Sequence, residues 1–169
     1  MSETEERQAP VVIVDQSRVT RLIVEIALRR EGVLCTGFPD GLAVLRALED
    51  PRRASQVKVV ILDLKLPEVD GYALTRLLRV SPQLDHVAIV IFTAEKSLVS
   101  RLRARLAGAT CYLTKPFKQS TFLSAILPYT RQHERPTDQE TPDLDSRGDE
   151  YHDANAMRAG PATRKRYAS

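Results

Sequence analysis

The chain has 169 residues, 43% of them hydrophobic, and no apolar run approaches the roughly 20 residues that a membrane-spanning helix needs. A net charge of +3 and a pI near 9.0 suggest nucleic acid at first sight, but the basic residues are dispersed arginines and aromatic residues are only 5% of the chain. Solvated helix faces account for that charge better, so no direct nucleic-acid or membrane contact is expected. The opening MSETEERQAP is acidic and polar and lacks the apolar core of a secretion signal, which makes a cytoplasmic protein the expectation. Cys35 and Cys111 both fall in predicted strands, as buried free thiols would, and no CxxC, HExxH or His/Cys cluster supports zinc.

In chain order, short apolar runs alternate with stretches of helical period, the pattern of βα units on a parallel sheet. Strands are predicted at 11–15, 33–37, 57–63, 87–93 and 110–114, and helices at 18–31, 41–50, 71–80, 98–107 and 119–129. Ser17 is a suitable cap for the first helix and Gly32 a suitable stop. Val19, Leu22, Ile23 and Ile26, with Arg30 distal, have the spacing of a half-buried helix. The unbroken Val/Ile/Leu runs of the first and third strands suit burial on both faces. Right-handed units in the order 2-1-3-4-5 make a doubly wound five-stranded parallel sheet, whose switch point lies between the first and third strands.

From about Tyr129 the composition shifts to Asp, Glu, Thr and Pro with almost no Val, Ile or Leu. Such a segment cannot bury enough apolar surface to offset about 1 to 2 kcal/mol of backbone entropy per residue. The expected organisation is therefore a flexible N-terminus at 1–8, a folded domain at 9–129, and a disordered polar tail at 130–169. The tail has an acidic middle and a basic end, Arg164-Lys165-Arg166. It reads either as a docking element or as a solubilising extension.

Four apolar runs end on residues suited to one phosphoryl site: VVIVD at Asp15, VVILD at Asp63, AIVIFT at Thr93 and CYLTK at Lys115, with Pro116 following. On parallel strands their carboxyl ends share one crevice. There a carboxylate can take a phosphoryl group as a nucleophile if the charge on the transferring oxygens is neutralised. Mg²⁺ needs only one or two carboxylates besides the phosphoryl group, and Asp15 and Asp63 supply them. Lys115 provides a point charge and Thr93 a hydroxyl.

In VVIVD-Q-S, ILDLKLPEVDGYAL, IFTAEKS and AGATCYLTKPF, in that order and spacing, residues 10–129 resemble the response-regulator receiver domain of two-component signalling, of the chemotaxis-receiver type. The resemblance implies a flavodoxin-like fold with Asp63 as phosphoacceptor, Thr93 as switch hydroxyl and Lys115 as the phosphate-contacting lysine. It implies a Mg²⁺ site made by Asp15, Asp63 and the backbone carbonyl of Lys65. Tyr112 matches the family's switch aromatic, although a half-buried aromatic on an edge strand is the plainer reading. A histidine kinase or histidine phosphotransfer protein would be the donor, and a downstream effector would read the face made by the fourth predicted helix, fifth strand and fifth helix. The chain would act as a single-domain regulator, monomeric or weakly dimeric.

One position departs from the family. Gln16 stands where a second acid normally ligates the metal, so weaker Mg²⁺ binding is expected, and a phosphorylation-independent interaction module is the alternative. Lys65 and Glu95, two residues past Asp63 and Thr93, are expected either to close over the phosphoryl group or to remain solvated. In the fourth predicted helix, Leu98, Leu102 and Leu106 are expected to face the core, with Arg101 and Arg105 available to an acidic partner. Aspartyl-phosphate phosphatases of the haloacid dehalogenase type also use a strand-end Asp, but Asp63-Leu64-Lys65 lacks their second acid. A transcription factor would need a further folded domain with a recognition helix, and the tail shows no such pattern.

Overall fold

The computed structural model describes residues 10–131. The predicted N-terminal segment and nearly all of the predicted tail lie outside the described residues. Five parallel strands, β1 (Val11–Val14), β2 (Cys35–Phe38), β3 (Val59–Leu62), β4 (Ala88–Thr93) and β5 (Cys111–Thr114), form one sheet in the order β2-β1-β3-β4-β5. The helices are α1 (Arg18–Arg30), α2 (Gly41–Leu48), α3 (Pro51–Gln56), α4 (Gly71–Val80), α5 (Leu98–Ala107) and α6 (Gln119–Thr130), with a 3₁₀ turn at Pro82–Leu84. This is the flavodoxin-like doubly wound arrangement. No helix among the described residues is long and apolar enough to cross a membrane.

The alternation of side chains along each strand divides the core into two layers. Val12, Val14, Val60, Leu62, Ile89 and Ile91 point to one face, where α2, α4 and α5 contribute Val44, Leu48, Leu74, Leu78 and Ala104. Val11, Ile13, Val59, Ile61, Val90 and Phe92 point to the other, against Val24 and Leu28 of α1 and Phe122 and Ile126 of α6. On that second face Phe92, Phe117 and Phe122 form a triangle with ring centroids 4.8 to 5.6 Å apart. Phe122 is wholly buried, a contribution of about 1.5 to 3 kcal/mol from transfer alone.

Local signals set the helix ends. Ser17 Oγ accepts from Thr20 N–H and starts α1, while Gly32, at φ 74°, follows its last turn. Asp40, Asp50, Asp70 and Ser97 cap α2, α3, α4 and α5 in the same way. The short α3 was not foreseen, because six residues show no helical period, although Asp50 followed by Pro51 is a standard helix opening.

Two expectations about apolar faces are corrected. In α1 the sheet-facing residues are Val24, Ala27 and Leu28, whereas Val19, Leu22, Ile23 and Ile26 are 42 to 66% exposed. In α5 the core contacts are Ala104 and Ala107, and Leu98, Leu102 and Leu106 are 58 to 82% exposed. Each helix carries two sets of apolar positions at helical spacing, and tertiary packing selects between them. Alanines let α5 approach the sheet closely, so the leucines on its other side turn outward. Cys111 is buried and Cys35 partly so, both free thiols, as the sequence suggested.

Candidate functional site

The carboxyl end of the sheet assembles the predicted residues through main-chain bonds. Asp15 and Asp63 each sit one residue beyond a strand, and the strand ladder continues through them. Asp15 N–H donates to Phe38 O at 3.1 Å and Asp63 N–H to Val14 O at 3.0 Å. Lys115 follows β5 and its N–H donates to Thr93 O at 2.8 Å. The sheet register therefore holds the backbones of Asp15, Asp63, Thr93 and Lys115 at adjacent strand ends. The Lys115-Pro116 peptide is cis.

Lys115 is the centre of the cluster. Its Nζ lies 2.6 Å from Asp15 Oδ2 and 2.9 Å from Asp63 Oδ2, so one ammonium joins residues 100 and 52 positions away in sequence. The same Nζ lies 5.0 Å from the Phe92 ring centroid. Asp15 is almost fully buried, and its Oδ1 accepts from Ser17 N–H at 2.7 Å. Asp63 Oδ1 accepts from Lys65 N–H at 3.2 Å. Each aspartate thus keeps one oxygen on a backbone donor and turns the other to the ammonium.

The Gln16 side chain is exposed at the rim, and among the described residues no three His, Cys, Asp or Glu side chains converge to hold a metal ion. The donors that do converge, two carboxylates of hard oxygen character, suit Mg²⁺ with most of its waters retained. The fit is therefore that of a lean site with two protein carboxylates.

Thr93 is fully buried and its Oγ1 accepts from Glu95 N–H at 3.4 Å. Tyr112 on β5 is buried rather than half-buried. Its hydroxyl donates to Glu95 O at 2.8 Å, and the Arg101 guanidinium lies 5.3 Å from the ring centroid. Burial first, then the nearby Tyr72 and Glu95, push the Tyr112 phenol up to about 12. Thr93 and Tyr112 thus hold the two sides of one peptide segment at Glu95. Lys65 is exposed, and Glu95 Oε1 accepts from Ser97 N–H at 3.3 Å; no ion pair joins Lys65 to Glu95 among the described residues.

Two arginines that the sequence reading did not single out shape this end of the molecule. Arg21 Nη1 donates to the carbonyls of Asp15 at 2.5 Å and Gln16 at 3.2 Å, bracing the loop after β1. A Cβ at Gly37 would lie 3.1 Å from Arg21 Cδ, so that glycine makes room for the arginine stem. Arg21 lies four residues past the Ser17 cap, within the first turn of α1, the one signal for its role in the sequence. Arg79 of α4 donates to Gly108 O at 2.8 Å, Val87 O at 2.7 Å and Thr110 Oγ1 at 3.0 Å, tying α4 to the loops before β4 and β5. These partners lie as far as 31 residues away, beyond the reach of local pattern.

Known proteins agree with this architecture. The response regulator receiver domain family matches residues 11–127. The DNA-binding transcriptional regulator NtrC of Proteus hauseri is 31% identical over 133 residues, covering 77% of this chain and 27% of that protein. The chemotaxis response regulator CheY4 of Vibrio cholerae superimposes with a TM-score of 0.65 at 27% identity, over 72% of this chain and 98% of that one. The receiver domain of sensor histidine kinase PA1611 from Pseudomonas aeruginosa PAO1, with a magnesium ion coordinated in its active-site cleft, gives a TM-score of 0.64 at 28% identity, over 72% of this chain and 97% of that one. The chain spans about a quarter to a half of the length of the curated relatives it first matches. With its sheet order, its strand-end aspartates and lysine, and a family match over most of its length, the chain belongs to the response regulator receiver domains.

Proposed function

We propose that the receiver unit at 9–129 accepts a phosphoryl group on Asp63 from a phosphohistidine on a histidine kinase or histidine phosphotransfer protein. The observation that carries this reading is the Lys115 ammonium shared between the Asp15 and Asp63 carboxylates at the switch point of the sheet. An Asp63 carboxylate oxygen forms the new O–P bond as the P–N bond breaks. The electron pair departs with the imidazole, which takes a proton from water. Lys115 then exchanges a carboxylate oxygen for a phosphoryl oxygen. Thr93, whose Oγ1 accepts from Glu95 N–H, keeps its own proton to donate to the new dianion. Asp15, Asp63 and the Lys65 carbonyl would hold Mg²⁺, which when bound neutralises charge on the transferring oxygens.

The switch follows from the bonds at Glu95. Drawing Thr93 toward a phosphoryl group pulls the peptide that Tyr112 also holds, and α5 begins three residues further on. The face of α5, β5 and α6 is then the surface a downstream effector reads. Transfer from an ATP-charged kinase places the protein in the cytoplasm. The test is intact-protein mass after incubation with a small phosphodonor, with and without Mg²⁺, alongside Asp63→Asn. The expected result is a Mg²⁺-dependent gain of one phosphoryl group that the variant lacks.

The exposed Gln16 favours a second reading, in which the domain binds partners whatever its phosphorylation state. No mass gain at any Mg²⁺ concentration would replace the first reading with this one.

A further inference from the structure

The outer faces of α1 and α5 both carry exposed apolar side chains, and on α5 they lie among arginines with no acidic residue on the helix. Leu98, Val99, Leu102 and Leu106 all lie on that face of α5, each more than half exposed. At 100° per residue these four span about a third of the helix circumference. Arg101 and Arg105 border this stripe on one side and Arg103 on the other, and α5 contains no acidic residue. Two of the arginines are anchored toward the fold, Arg101 over the Tyr112 ring and Arg103 over the Tyr72 ring at 4.4 Å. An apolar strip between fixed positive charges calls for an acidic segment with a few apolar side chains.

The chain carries one. Residues 138–153, DQETPDLDSRGDEYHD, hold seven carboxylates against the single Arg147. Leu144, the only leucine after α6, sits between Asp143 and Asp145, and Tyr151 follows Asp149 and Glu150. We propose that this segment docks on the outer face of α5 of the same molecule, with Leu144 and Tyr151 on the leucine stripe and the flanking carboxylates toward the arginines.

Reach permits it. In a parallel sheet each crossover helix returns toward the amino end of the strands, so α5 and α6 finish at the same end, on opposite sides of the edge strand β5. The seven residues from Arg131 to Asp138 extend up to about 25 Å, comparable to the roughly 20 Å across a sheet flanked by two helix layers. The sixteen residues that follow exceed the ~15 Å length of a ten-residue helix. A tether of this kind gives an effective concentration in the millimolar range. Docking too weak to detect between separate molecules would therefore be occupied within one.

The contact would cover the face assigned above to effector binding. That consequence rests on the signalling reading, whereas the docking does not. The test uses the full chain with a benzophenone side chain in place of Leu102, irradiated as an equal mixture of ¹⁴N- and ¹⁵N-labelled protein at low concentration and mapped by peptide mass. The expected adducts join position 102 to peptides from 138–153, in same-isotope pairs. They should fall several-fold at high salt and in a variant with the seven carboxylates replaced by their amides. Adducts confined to residues 10–131, mixed-isotope adducts from a second copy, or tail adducts indifferent to charge would each overturn the proposal. No phosphoryl transfer enters the experiment, so its failure and failure of Asp63 to accept a phosphoryl group are separate results.

Discussion

Gly71→Ala is the substitution that most directly ties the fold to the proposed phosphoryl site. Gly71 opens α4 immediately after the Asp70 cap, and its N–H donates to Leu64 O at 3.0 Å. A Cβ there would lie 2.7 Å from Leu64 Cα and 3.0 Å from Leu62 Cδ1, and it would also collide with the Asp63 carbonyl oxygen. Two of these three atoms are main chain of the segment that carries Asp63, so no rotamer change relieves the contact. Overpacking a tight site costs about 1 to 3 kcal/mol, and the usual preference of helices for alanine returns about 0.5 to 1. Because backbone must move, the upper end applies, and a net loss of about 2 kcal/mol is expected. With a urea m-value of about 1 to 2 kcal/mol/M, the unfolding midpoint should fall by roughly 1 to 2 M. Displacing the Asp63 main chain also shifts its carboxylate from Lys115 Nζ, so transfer from a small phosphodonor, read as intact mass, should slow by about tenfold or more. Gly32→Ala is the control. Nothing lies within 4 Å of its Cβ, and only its φ of 74° opposes a side chain, at a cost of about 1 kcal/mol. Its transfer rate should stay at the wild-type value. The reasoning is refuted if Gly71→Ala is no less stable than Gly32→Ala and accepts the phosphoryl group equally fast.

Arg79→Met should lower stability by about 3 kcal/mol, since the carbonyls of Gly108 and Val87 lose charged donors at part-buried positions; a urea melt showing less than about 1 kcal/mol would count against the clasp. Tyr112, pushed up to about 12 by burial, keeps its proton in the fold after the unfolded chain has lost it near pH 10. Its contribution is complete below pH 10 and declines as pH rises from about 10 to about 12. Tyr112→Phe should flatten the loss of stability over that window, and an unchanged alkaline slope in denaturant melts would show that another group is responsible. Gln16→Asp adds a carboxylate at the rim of a two-carboxylate site and should tighten Mg²⁺ binding by about tenfold, the equivalent of ~1.4 kcal/mol of added attraction. Equal affinities for the two proteins by calorimetric titration would remove Gln16 as the limiting feature.

What the sequence determined by itself was the five strands, the five longer helices and their order. Continuous apolar runs such as VVIV and VVIL suit short strands covered on both faces, and the helical stretches between them leave a parallel sheet as the consistent solution. Once the strands are parallel, Asp15, Asp63, Thr93 and Lys115 must arrive at the same end, so the candidate site was legible before any coordinate. The Ser17 cap was equally local, because the bond it makes spans three residues.

Tertiary structure decided which apolar stripe each helix buries and which distant groups meet. Period alone could not choose between Val24, Ala27 and Leu28 and the set Val19, Leu22, Ile23 and Ile26 on α1, nor between Ala104 and Ala107 and the leucines of α5. In α5 the small side chains of Ala104 and Ala107 allow the closer approach to the sheet. The Arg79 clasp and the bond from Tyr112 to Glu95 join residues whose proximity exists only after the strands align. Nor could a linear reading show that one ammonium, Lys115, holds both carboxylates, since that distance is set by the register of β1, β3, β4 and β5.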